Sequence, residues 1–262
     1  MQIISMPTPE EHIVVAEEKF RLFLLLADEV LALRRTVSEQ LEVATHNGTI
    51  PNSVRNRVLI GLSIKSLDSF DRLLVDARDR RAECSHHLKT MAECFIYSGW
   101  VSGDSGETNA KLLCADGFRS RIAYHNALGE AELAEEYERL HSQEIEHLET
   151  EWETFRRTTL EVLARMANRT DHYYQVYRMA CEAAHTGDVT VYMPPQPTEI
   201  GLRLSDLSFL RAYVCLKFGI ILACDLLHDV SNALGLGMDE QIQGFRERWM
   251  AILALGSPVT DA

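Results

Sequence analysis

Arg178, Glu182 and His185 stand four and three positions apart in the stretch Tyr177-Arg178-Met179-Ala180-Cys181-Glu182-Ala183-Ala184-His185. On an α-helix that spacing puts all three side chains on one face. A guanidinium, a carboxylate and an imidazole so placed can hold a phosphate, fix a histidine tautomer and move a proton. The same trio can equally serve as internal glue. Arg178 would then form a buried ion pair with a core glutamate such as Glu93, and His185 would bond the helix C-terminus, where the macrodipole favours a cation. Residue types alone leave both readings open.

Lys89 and Glu93, one turn apart in Leu88-Lys89-Thr90-Met91-Ala92-Glu93, read in isolation as an i, i+4 ion pair. If their helix packs against the first motif, Lys89, Glu93, Arg178, Glu182 and His185 form one polar cluster in an apolar bundle, with Tyr177 beside it, and perturbed pKa values are expected. A metal centre is the competing chemistry. Glu-x-x-His occurs at Glu83–His86, Glu144–His147 and Glu182–His185, and residues three apart on a helix can reach one ion, as in di-iron carboxylate bundles. A chain rich in glutamate and carrying ten histidines supplies such pairs by chance, so no metal and no cofactor is expected. His125, His172 and His228 are isolated and read as ordinary hydrogen-bonded histidines. There is no glycine-rich phosphate loop, nucleophile elbow or Ser-His-Asp ordering to support a nucleotide kinase or a serine hydrolase.

The pairing of Leu88-Lys89-Thr90-Met91-Ala92-Glu93, followed by Cys94-Phe95-Ile96-Tyr97, with the later Tyr177 to His185 stretch resembles a bacterial all-helical family catalogued only as a domain of unknown function. In that family an arginine precedes the glutamate by four residues; here Lys89 takes its place. The resemblance spans roughly Leu73 to Pro197. The second motif also resembles the HEPN group, in which an arginine, four to six residues and a histidine mark the site of many RNases of toxin, phage-defence and stress systems. It implies that Arg178 stabilises the charge on a scissile phosphate and that His185 acts as general acid or base on the attacking 2′-hydroxyl, without a metal. Tyr177, Glu182, Lys89 and Glu93 would support them. It also implies a homodimer, with RNA or a protein as partner. The residue after the arginine is commonly polar in that group, and here it is Met179. A non-enzymatic helical scaffold or regulatory protein-interaction domain is the alternative that the same fold allows.

These residues need helices to carry them, and helical periodicity dominates the 262 residues while strand alternation is nearly absent. The expectation is an all-α multi-helix bundle with one long antiparallel seam. Thr8 caps and Pro9 starts a helix that runs to about His46, an N-terminal extension over residues 1–50; the bundle domain follows over 51–262, with a HEPN-like core about 73–200. Pro51 and Asn52 open a helical region to Val101, with a break near Ser63–Ser69. A turn at Gly103–Gly106 precedes a helix over Thr108–Ala127. Past Gly129 a long helix ends near Asn168, and along it Ile145, Leu148, Trp152, Phe155, Thr159, Val162 and Met166 alternate by threes and fours, a seam for a partner helix within the chain or across a dimer. Asp171 caps the short motif helix, the proline-bearing segment Asp188–Gly201 reads as a loop beside it, and Leu202–Leu234 and Met238–Leu255 are the last helices.

Charge and cysteine usage narrow the partners. The net charge is −13, and residues 130–153 hold ten glutamates against Arg139 alone, so extended tracking along DNA is excluded while a small basic pocket for one or two phosphates is not. Basic density occurs at Arg78, Arg80 and Arg81 and at Arg156 and Arg157. The six cysteines lack any C-x-x-C pair and read as core residues of a reducing, cytoplasmic setting. The most apolar window, Leu207–Leu227, is interrupted by Arg211, Lys217 and Asp225 and reads as a buried helix, not a membrane span.

Overall fold

A computed structural model describes residues 9–81, 83–104, 106–184 and 204–256. It is an all-α bundle: α1 (Pro9–His46), α2 (Val54–Arg78), α3 (Cys84–Ser102), α4 (Thr108–Leu128), α5 (Ala131–Glu144), α6 (Glu149–Phe155), α7 (Leu160–Met166), α8 (Thr170–His172), a π-helical turn (Tyr173–Tyr177), α9 (Arg178–Ala184), α10 (Leu204–Leu234) and α11 (Asp239–Ala254). No strand occurs among the described residues. None of these helices is long and apolar enough to cross a membrane.

The main core is built where the apolar stripe of α1 (Phe20, Phe23, Val30, Val37) meets α10 (Leu216, Ile220, Leu227), α2 (Phe70, Leu73) and α3 (Leu88, Met91, Phe95). A smaller core gathers Ile96, Trp100 and Val101 of α3 with Leu112, Trp152 and Leu163. Helix α3 therefore belongs to both cores, and what it presents on its remaining face is held rigidly. Four of the six free cysteines, Cys84, Cys94, Cys215 and Cys224, are buried in these helices.

Boundaries follow local chemistry. The Ser53 hydroxyl accepts from Asn56 N at 3.1 Å and starts α2. That helix then runs unbroken through Ser63–Ser69, contrary to the expected interruption; the break falls later, where Arg80 adopts a left-handed φ of 54°. Gly129, at φ 74°, ends α4.

The expected single helix to Asn168 is instead three helices. His147 takes a φ of 66° between α5 and α6, and the Thr159 hydroxyl accepts from Val162 N to start α7 afresh. The two breaks turn the seam inward. Trp152 is buried with its ring 5.0 Å from His141, and Phe155 stacks on Trp100 at 5.2 Å and 8°. Burying one indole of roughly 200 Å² at about 25 cal/mol/Å² is worth about 5 kcal/mol, more than the few backbone hydrogen bonds of about 1 kcal/mol each that the breaks forgo. The seam's far end stays open, with Met166 63% exposed.

Candidate functional site

The two sequence motifs meet. α3 packs along both the π-helical turn and α9, and Glu93 comes close enough to Tyr177 for its charge to act on the phenol. Lys89 and Glu93 are half-buried on the outer strip of α3 beside exposed His86, and no ion pair joins them. Tyr177 is the last residue of the π turn. Burial first, then a hydrogen bond with Cys181 and the neighbouring negative charge of Glu93, push its phenol well above the ordinary tyrosine range. Tyr97 on the same strip rises to about 12, again by burial first and Glu93 second.

Arg178 is exposed, and it makes no ion pair with Glu93 or any other described side chain. The buried Arg178–Glu93 pair allowed by the sequence is therefore absent. Helix α9 is α-helical from Arg178 to Ala184. His185, the side chain of Glu182 and the segment Asp188–Gly201 lie outside the described residues. Met179 packs against the main core, which accounts for an apolar side chain after the arginine.

Asp171 does not cap the motif helix; Arg169 precedes α8 and Asp171 lies in its first turn. The π turn that follows inserts an extra residue per turn, which re-aims everything after it relative to Arg169 and His172. Of the Glu-x-x-His pairs, Glu144–His147 is split by the end of α5 and the left-handed His147. No group of three or more metal-ligating side chains exists among the described residues. The histidines read as ordinary have partners: His125 with Glu130 at 2.6 Å, His172 with Asp225 at 3.8 Å and His228 with Asp239 at 3.7 Å.

The best-defined polar constellation is one that motif reasoning missed. Arg169 donates to the Phe95 carbonyl and pairs with Asp229, its Nη1 lies 3.4 Å from Ser98 Oγ, and its Cζ sits 3.6 Å from the Phe95 ring centroid. Gly99 makes the room, because a β-carbon there would lie 2.6 Å from Arg169 Cζ. One turn before Asp229, Asp225 takes Arg246 at 2.6 Å and faces His172. Burial pushes the Asp225 carboxyl up, but hydrogen bonds from His172 and Arg246 outweigh it and hold it below its ordinary value. A signal for this network was present in the sequence. Two acids one turn apart in the most apolar helix must find cations, since buried charges are paired. The network fixes the chain immediately before the π turn, and so fixes where Tyr177 and Arg178 emerge.

An all-α bundle whose central helix shares a polar strip with a π-turned motif helix is thus the class of protein defined here. Within that class, the sequence profile described as "Family of unknown function (DUF5677)" matches residues 56–193, just over half of the chain, and the chain belongs to that family. The matched stretch contains Lys89, Glu93, Arg169, Tyr177, Arg178, Glu182 and His185, while Asp225 and Asp229 fall outside it. No curated protein and no solved structure matches the chain.

Proposed function

We propose that this protein is a HEPN-like, metal-independent RNA-cleaving protein that works as a homodimer, with Arg178 and His185 as its catalytic pair and Tyr177, Glu182, Lys89 and Glu93 in support. The carrying observation is the exposure of Arg178 at the start of α9, a helix that packs on α3. An arginine that served as glue would be paired and sealed, whereas this one is exposed and has no ion-pair partner among the described side chains. In this mechanism the 2′-oxygen attacks the phosphorus and the P–O5′ bond breaks, leaving a 2′,3′-cyclic phosphate and a 5′-hydroxyl. His185 takes the 2′-hydroxyl proton or supplies one to the departing 5′-oxygen, and Arg178 carries the phosphorane charge.

The test is cleavage of unstructured single-stranded RNA by the full chain in EDTA, with the product ends identified. His185→Ala should lose about 10²- to 10⁴-fold in rate, the usual worth of a positioned acid or base, while keeping the wild-type melting temperature. Absence of cleavage by the wild type, together with a melting temperature several degrees lower for His185→Ala, would instead make the histidine structural.

A further inference from the structure

A groove of about 470 Å³ runs between α2 and α3, with Lys65 and Arg72 on one wall and His87 and Thr90 on the other. We propose that this groove binds the phosphodiester backbone of the RNA strand whose scissile phosphate lies at Arg178; the assignment rests on the RNA reading above.

Charge accounting makes the groove cationic in an acidic chain. The basic runs visible in the sequence are engaged by acids: Arg78 pairs with Asp28, Arg80 with Glu17 and Arg81 with Asp79, while Arg156 and Arg157 share the single carboxylate of Glu153. Asp68, the one acid that lines the groove, is paired with Arg34, and nearby Asp76 with Arg81 and with His87 at 3.2 Å. Lys65 and Arg72 have no ion-pair partner among the described side chains, so their charges are left for a ligand. Two turns of helix separate them, about 10 Å along the axis.

The groove also supplies neutral hydrogen-bonding groups. Ser69 is only 9% exposed, and its hydroxyl has no hydrogen-bond partner among the described residues. Thr90 lies one turn before Glu93 on α3, so a strand leaving the groove across α3 would run toward the strip that carries His86, Lys89 and Glu93.

The test measures binding of a labelled unstructured single-stranded RNA to the full chain in the His185→Ala background, across a salt titration. Lys65→Ala with Arg72→Ala should weaken binding about tenfold at moderate salt and make the slope of log K against log salt shallower by about 1.4, two phosphates at roughly 0.7 each. The charge-matched control, Lys111→Ala with Arg139→Ala on the α4–α5 hairpin, should leave both unchanged. Equal affinity and slope for the groove and control variants overturn the groove, even where RNA is cleaved in a His185-dependent way. RNA held through Lys65 and Arg72 but never cut by the wild type overturns the nuclease reading and leaves the groove standing. Orthophosphate that occupies the wild-type groove as tightly as RNA does would make it a free-phosphate site and overturn the strand assignment.

Discussion

Gly99→Ala should reverse the sign of its effect when Arg169 is removed. In the native chain the new methyl carbon would lie 2.6 Å from Arg169 Cζ and 2.9 Å from Nη2, inside any tolerable contact, so the guanidinium has to leave. It would give up Asp229, the Phe95 carbonyl and ring face, and Ser98. The side chains of Arg169 and Asp229 are 12% and 23% exposed, so the pair is nearly but not wholly sealed. Its loss then costs about 2–3 kcal/mol, below the 3–5 kcal/mol of breaking a fully buried pair. Alanine's advantage over glycine in a helix returns about 1 kcal/mol. The net is a destabilisation of about 1–2 kcal/mol, which for a chain of this length lowers the melting temperature by about 2–4 °C. With Arg169→Ala already in place the methyl enters vacated space, only the propensity gain remains, and the same substitution should raise the melting temperature by about 2 °C. Calorimetric melts of the four proteins at neutral pH close the cycle. A Gly99→Ala effect of the same sign and size in both backgrounds would refute the idea that Gly99 exists to seat Arg169.

Arg178→Ala, in contrast, should move the melting temperature by no more than about 1 °C, since exposed substitutions stay within about 0.5 kcal/mol; a drop comparable to that of Arg169→Ala would return Arg178 to a structural role. Asp225 has a folded pKa below its ordinary value, so its stabilisation is present above the unfolded value of about 3.9 and is lost as pH falls through the depressed one; Asp225→Asn should be less stable than wild type at pH 7 and show a flatter melting-temperature profile below about pH 4. Burial pushes the thiols of Cys94 to about 11 and of Cys215 and Cys224 to about 12, so a disulfide reagent at pH 8 should leave these native thiols unlabelled until the chain is unfolded, and fast labelling of them in the folded protein would contradict their placement.

How much of this was legible in the sequence depended on whether the deciding interaction was local. The end of α1, the Gly129 stop and the last two helices follow from residues within a turn of each boundary, and they fall where glycines and apolar spacing put them. The breaks around His147 and at Arg156–Thr158 do not, because the heptad-like spacing of Trp152 and Phe155 is the same whether their helix is straight or folded back. What selects the break is Trp100 on α3, a residue remote in sequence from the seam. The polar network escaped for the same reason. Arg169 and Asp229 are 60 residues apart, and Gly99 alone looks like a weak point in a helix. That two polar motifs sit on helices was legible because each is a local pattern; that their helices, α3 and α9, pack together had to come from the fold. The π turn between His172 and Arg178 left no periodic trace.

The two arginines of the motif region divide two duties that sequence alone could assign to either. Holding helices in register requires a cation sealed against an acid and a carbonyl, and Arg169 meets all of those conditions at the junction of α3 and α10. Once that duty is filled, a second buried ion pair at Arg178 would add a desolvation cost that buried pairs rarely recover in stability. Arg178 instead emerges after a π turn, a distortion of a kind common at functional sites, and the turn is anchored at its start by the sealed network. Rigid glue immediately before an exposed cation is the arrangement that positioning demands: the side chain that meets the ligand is free, and the backbone that carries it is not.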